Sequence, residues 1–365
     1  MTLDVAAAFS ARYAEARDKF LRVATGAGYA IESHIHPQIT GAEGEELAID
    51  AVAIGAADSD SLLVVSSGMH GVEGFAGSGC QIGLMQDPMF AEWVGQTNVA
   101  VLLVHAINPY GFSHLRRANE DNIDLNRNFR DFGTPVAPNV AYAEVHRLVV
   151  PETWPPPPSN ALAIGAYLAR YGMRQLQAAV SSGQAEFPDG LFYAGREPAW
   201  SNPVLRDVLA RHGAPCTEIA WIDIHSGLGP WGHGEKILNG PDDTDAIARA
   251  RRFYGADVTT MYDESSSSAL LTGASFHAAV QACPHAEFTG LTLEFGTQSY
   301  GDVFGALRAE QWLVNHPQAD DATRDSIKRQ LRDAFYDERD VWKAMVYAQA
   351  RVAVLQALRA LADPN

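Results

Sequence analysis

A histidine and a carboxylate three residues apart, His70 and Glu73, stand in the stretch GMHGVEGFAG directly after the apolar run SLLVVSS. An i, i+3 pair at a strand end can aim an imidazole and a carboxylate at one point, which suits Zn2+ with nitrogen and oxygen ligands. The same residues also read as an ordinary polar turn, so a metal site needs a third ligand. His225 in AWIDIHSGLG, at the end of a later apolar run, is the candidate. Two histidines and one glutamate leave a fourth position for water, which separates a catalytic zinc from a structural one. Asp223, two residues earlier on the same strand face, is placed to orient a ligand. Glu294 in LTLEFGT is a carboxylate among apolar neighbours, a costly position for a charge. It is the candidate general base and later acid; the alternative is a strand-terminal glutamate paired with a surface arginine.

The block NPYGFSHLRRANEDNIDLNRNF, residues 108–129, places Asp124, Asn126, Arg127 and Asn128 within five positions. A planar guanidinium beside an amide suits a carboxylate, because its fork donates two charge-assisted hydrogen bonds. Arg116 and Arg117 offer a second positive group that could stabilise the oxyanion of a tetrahedral intermediate. The block fits an Asx-rich capping loop equally well.

Such residues need strand ends to hold them. SLLVVSS (61–67) and NVAVLLVHAI (98–107) are short apolar runs between turn residues, as expected of strands buried on both faces. GSGCQIGLMQDPMF between them is long enough for a crossover helix, which predicts a β-α-β unit in a parallel sheet. WIDIHSGLG and LTLEFGT supply two more buried strands, and AIESHIHP with ELAIDAVAIG predicts a hairpin. Val5, Phe9, Tyr13, Ala16, Phe20 and Val23 share a helix face behind Asp4 as N-cap, and residues 320–362 read as helix. WPPPPSN (154–160) reads as a surface loop, since each proline removes a donor and fixes φ. No repeat of fixed period is present, which favours one α/β domain over residues 1–365.

Composition narrows the partners. With 27 Lys+Arg against 44 Asp+Glu, the net charge of −17 repels phosphate backbones and anionic lipid, so neither nucleic acid nor a membrane is expected. The first residues lack a basic start followed by an apolar region, and no apolar run reaches the roughly eighteen residues of a membrane span. The expectation is a soluble, cytoplasmic protein. Cys80, Cys216 and Cys283 are far apart and form no CxxC pair, so they read as buried free thiols.

Taken together and in order, HGVE (70–73), the NPYG…RRANEDNIDLNRNF block, DIHSG (223–227) and LTLEFGT resemble the zinc metallocarboxypeptidases related to carboxypeptidase A, in a bacterial branch of that superfamily. The resemblance spans roughly residues 60–300. It implies zinc held by His70, Glu73 and His225, a substrate carboxylate gripped by Asn126 and Arg127, and Glu294 as the catalytic glutamate. It also implies an oxyanion arginine at Arg117, with Arg116 as the other possibility. The implied fold is a mixed, mostly eight-stranded sheet between helices, of the phosphorylase/hydrolase-like type.

Two features depart from the pattern. The family's mobile tyrosine has no counterpart, since Tyr262 is the nearest tyrosine before Glu294 and no role is assigned to it. Residues 131–215 form an insertion whose segment FPDGLFYAGREPAWSN offers Tyr193, Arg196 and Trp200 as substrate contacts, or serves as a purely structural loop. Among the remaining histidines, His233 is the one expected nearest the site. The expected activity is zinc-dependent hydrolysis of an amide bond next to a free carboxylate, by a metallocarboxypeptidase acting on peptides. The alternatives are an N-acyl amino acid deacylase of the aspartoacylase type and a non-catalytic zinc-binding protein that recognises peptide tails.

Overall fold

The computed structural model describes residues 4–363; residues 1–3, where the sequence lacks the basic start of an export signal, lie outside them, as do 364–365. Its strands are β1 (Ala30–Thr40), β2 (Glu46–Ile54), β3 (Ser61–Ser67), β4 (Val99–His105), β5 (Glu218–Trp231), β6 (Gly234–Leu238) and β7 (Glu287–Gly296). They form one seven-stranded sheet in the order β1-β2-β4-β3-β5-β7-β6. The central strands β4, β3, β5 and β7 are parallel to one another. The edge strands run antiparallel to their neighbours. This is the mixed α/β sheet between helices that the sequence predicts, with seven strands among the described residues instead of eight.

Strand alternation decides which side chains share a face. Leu63 and Val65 of β3, Ile222 and Ile224 of β5, and Leu291 and Leu293 of β7 enter one core, under helices Tyr13–Gly26, Gly74–Gln86 and Asp340–Ala362. Leu62, Val64 and Trp221 enter the other, under helices Ser201–Gly213 and Phe276–Ala282. By the same parity, Ser66, Asp223, His225 and Glu294 share the second face, at the carboxyl ends of their strands. Residues 223 and 225 thus belong to Trp221's row, and Asp223 stands opposite Ser66 and His225 opposite Glu294 in the ladder.

The chain winds outward from β3 to β4 and, on the other side, from β5 to β7. The crevice beyond the carboxyl ends of β3 and β5 is therefore a topological switch point, the usual ligand position in open α/β sheets. A further apolar cluster closes over that crevice. It joins Val72 to helices Val140–Val149, Met173–Ser181, Tyr300–Asn315 and Asp321–Phe335.

Some local expectations change. Asp4 caps only the short helix Val5–Ala8, and the main N-terminal helix starts at Tyr13. The crossover between β3 and β4 is two helices, because Asp87 accepts from Met89 N and Pro88 opens a new first turn, Pro88–Gln96. Pro158 likewise begins the helix Pro158–Tyr171, so the proline loop ends before it. Cys80, Cys216 and Cys283 are free and buried. Among the described residues, no helix is long and apolar enough to cross a membrane.

Candidate metal centre

The chain leaves β3 through Gly68, whose φ of 66° lies in the left-handed region open to glycine. Gly71 then packs against the backbone of Gly111 and Phe112, where an added Cβ would stand 2.0 Å from the Gly111 carbonyl carbon. Its glycine is thus required by a neighbouring chain segment and not by crowding at a metal. The amide groups of Gly71 and Val72 donate to the carbonyls of Arg117 (3.2 Å) and Arg116 (2.8 Å), tying the His70–Glu73 turn to the arginine loop.

His70, Glu73 and His225 are brought together at the crevice, all buried, with one ligand atom from each lying within 4.8 Å of the others. His70 Nδ1 is 2.9 Å from Glu73 Oε1, His225 Nδ1 is 2.9 Å from Glu73 Oε2, and the two Nδ1 atoms are 3.2 Å apart. Ser226 N also donates to Glu73 Oε2 at 3.2 Å. Behind the rings, His225 Nε2 is 2.9 Å from Asp223 Oδ2 and His70 Nε2 is 3.1 Å from Asp124 Oδ1. Asp223 is itself held by the Ser66 hydroxyl at 2.6 Å. With protons on both Nε2 atoms, two lone pairs and a carboxylate converge on one point, and a cation there would satisfy them.

Electrostatics agree with that picture. Burial alone would raise the Glu73 carboxyl, but His70 and His225 overcome it and hold Glu73 below the usual carboxylate range. Burial works against a charged His225, yet Asp223 and Glu73 outweigh it and its pKa lies well above the ordinary histidine value. The set attracts positive charge. The Asp124 carboxyl, despite burial, is held well below its usual value by Arg127, His70 and Arg117.

Arg117 reaches into the same cluster. Its Nη1 donates to Glu73 Oε1 at 2.8 Å, its Nε to Asp124 Oδ2 at 3.3 Å, and its Nη2 stands 2.8 Å from His70 Nε2. A guanidinium and a carboxylate therefore compete for His70 Nε2, and a cation at Nδ1 would select the Asp124 bond. Arg116, in contrast, turns away. It is buried against Glu310 (2.7 Å), the Asn119 carbonyl (3.1 Å) and Asn122 Oδ1 (2.7 Å), and does not line the cleft. Its expected substrate role is corrected to a structural one.

The cleft above the cluster encloses about 860 Å3 of non-protein space, part of it open to solvent. Glu294 lines it, accepting a hydrogen bond from Leu228 N at 2.9 Å. No arginine or lysine pairs with it among the described residues. Burial, reinforced by the charge of Glu73 and opposed by His225, raises its carboxyl to about 7. Asn126 and Arg127 line the cleft too. Asn126 Oδ1 accepts from Ser275 N at 2.8 Å, which leaves its amide donor for a ligand. Arg127 gives Nε to the Ser181 carbonyl (2.9 Å) and Nη1 to the Asn126 carbonyl (2.8 Å). Burial lowers its pKa to about 10 against the pull of Asp124, so it stays a cation at neutral pH.

Tyr193, Arg196 and Trp200 do not reach the cleft. Tyr193 is buried in the core of the second face, Arg196 is exposed, and Trp200 packs on His36 with ring centroids 4.6 Å apart. From the same loop it is Phe192 that lines the cleft, with its ring over Arg117 and Arg127. His233 is exposed, and the Tyr262 hydroxyl is spent on the Gly240 carbonyl at 2.7 Å; Tyr300 is the tyrosine that lines the cleft. Sequence reasoning also passed over Gln177, Ser181 and the wall of helix Tyr300–Asn315. Nothing in their local spacing marks them, since they arrive from helices with no strand end of their own.

The fold is of the carboxypeptidase type. Bovine thrombin-activatable fibrinolysis inhibitor, solved in complex with a tick carboxypeptidase inhibitor, matches with a TM-score of 0.50 at 11% identity, over 97% of this chain and 98% of that one. Carboxypeptidase A from Helicoverpa armigera gives a TM-score of 0.48 at 14% identity, over 96% and 74% of the two chains. A metallo-carboxypeptidase from Pseudomonas aeruginosa gives 0.41 at 15%, over 94% and 70%. By sequence, no curated protein matches. The profile of the family described as Protein of unknown function (DUF2817) matches residues 9–349, and the chain belongs to that family.

Proposed function

We propose that this chain is a zinc-dependent hydrolase of an amide bond next to a free carboxylate. The observation that carries the reading is the convergence of His70 Nδ1, the Glu73 carboxylate and His225 Nδ1 within 4.8 Å, each ring held from behind by a buried carboxylate. Zn2+ bound by these three would polarise the substrate carbonyl and lower the pKa of water. The buried Glu294 carboxylate takes the proton of the attacking water and returns it to the leaving amine. Arg117, which lines the cleft and is held by Glu73 and Asp124, would stabilise the oxyanion through its charge. Asn126 and Arg127 hold the substrate carboxylate, the amide through its free donor and the guanidinium through its charge. Met261, Leu271 and Ile237 give the cleft an apolar wall, which suits an apolar side chain beside that carboxylate.

On this reading, residues 1–365 form one catalytic domain and the 131–215 segment is an insertion that roofs it. The buried free cysteines fit a reducing compartment, and we place the protein in the cytoplasm. The decisive variant is Glu294→Gln, assayed for zinc content and for hydrolysis of N-acyl amino acids and short peptides. Zinc is expected to stay stoichiometric while hydrolysis falls by about 10²–10⁴-fold. Unchanged hydrolysis with zinc retained would rule out this mechanism.

A further inference from the structure

Phe192 places an aromatic ring across both positive groups of the cleft. Its centroid is 4.9 Å from the guanidinium carbon of Arg117 and 5.4 Å from that of Arg127. At these separations the ring is in contact with the cations, and no peptide chain passes between them.

The placement is enforced. Phe192 has φ of 52°, in the left-handed region that bulky side chains rarely occupy. Its carbonyl accepts from Gln184 N at 3.2 Å, and the flanking Tyr193 carbonyl accepts from Asp124 N at 2.8 Å. On the other flank, Leu191 N donates to the Tyr142 hydroxyl at 2.7 Å. The loop is stapled to the arginine block by Asn122 Nδ2, which donates to the carbonyls of Pro188 (2.9 Å) and Gly190 (3.0 Å). Asn128 Nδ2 does the same with Ala194 (2.8 Å) and Glu197 (3.0 Å). A strained residue held from both sides at a cleft is a built feature.

The roof continues through Gln177 and Ser181, and helix Tyr300–Asn315 forms another wall with Tyr300, Val303, Phe304 and Leu307. Each added residue of an extended chain needs roughly 3.3 Å more length.

We propose that Phe192 is a specificity-determining residue that caps the cleft, so that the substrate is an N-acyl amino acid or dipeptide and longer peptides are excluded. This rests on the hydrolase reading above and names the substrate class within it.

The test is a length series with a constant C-terminal leucine: N-acetyl-leucine, a dipeptide, a tripeptide and a tetrapeptide. The zinc-loaded full chain is assayed for kcat/KM, and the Glu294→Gln variant is titrated calorimetrically so that binding is read without turnover. The expected result is a fall of at least about tenfold in both readouts between dipeptide and tetrapeptide. Phe192→Ala should collapse that ratio toward one, and Phe192→Tyr, which keeps the ring, should preserve it. If Phe192→Ala does not fold, the wild-type series and Phe192→Leu decide. Equal kcat/KM at every length overturns the inference while the hydrolase reading stands. No turnover of any member, with binding independent of length, overturns both.

Discussion

Arg116 and Arg117 are neighbours in the chain, yet each enters a different buried charge cluster. On Arg116's side, Glu310 sits between Arg116 and Lys328, whose Nζ is 3.1 Å from its carboxylate, and Lys328 also donates to the Leu115 carbonyl at 3.0 Å. Every charge there meets an opposite charge or a backbone group. On Arg117's side, two imidazole Nδ1 atoms and the Glu73 carboxylate face one another, while Asp124 and Asp223 add further negative charge close by. Burial of charge is common to both clusters and so does not mark a site. What separates them is the surplus of acceptors converging on one point, which a cation can resolve and another hydrogen bond cannot.

The contrast is sharpest in Glu310→Gln. Removing that charge leaves Arg116 and Lys328 without their counter-ion, and the expected cost is about 3–5 kcal/mol of stability in urea denaturation. Zinc stoichiometry of the folded fraction should be unchanged. Loss of zinc together with stability would show that the two clusters are one unit, joined through the Gly71 and Val72 amides. Asp223→Asn should do the reverse, weakening zinc affinity by about 10–100-fold in a competitive chelator titration. A stability loss as large as that of Glu310→Gln, with affinity intact, would erase the distinction.

The smallest effect is expected from pH. Burial pushes the Glu310 carboxyl up, but Arg116 and Lys328 outweigh it and hold its pKa below the usual 4.5. A depressed carboxyl contributes stability that is fully present above the unfolded value and is lost as pH falls through the folded value. Acid unfolding below pH 4.5 should therefore be shallower in Glu310→Gln than in the wild type, as followed by circular dichroism. An identical acid limb would remove Glu310 from the account of stability.

Local patterns carried much of this. Short apolar runs mark β3, β4, β5 and β7, because strands buried on both faces have little choice but Val, Ile and Leu. Period-two alternation then places Asp223 and His225 on one face of β5, while the register that sets Glu294 of β7 opposite His225 came from the structure. The roof was not legible. FPDGLFYAGREPAWSN offers several candidate contacts, and a turn at positive φ selects Phe192 for the cleft while Tyr193, Arg196 and Trp200 go elsewhere. RRANEDNIDLNRNF likewise carries the right groups without saying which of them face inward.

The sequence by itself determined the parallel core, the strand ends and the imidazole and carboxylate groups standing at them, since these follow from hydrophobic periodicity and residue type. Only the tertiary structure decided that Arg117 and not Arg116 meets His70 and Glu73, that Asn122 and Asn128 tie the 187–202 loop to the arginine block, and that Phe192 lines the cleft. The direction of a loop side chain depends on backbone turns and on partners from distant helices, and neither leaves a period in the sequence.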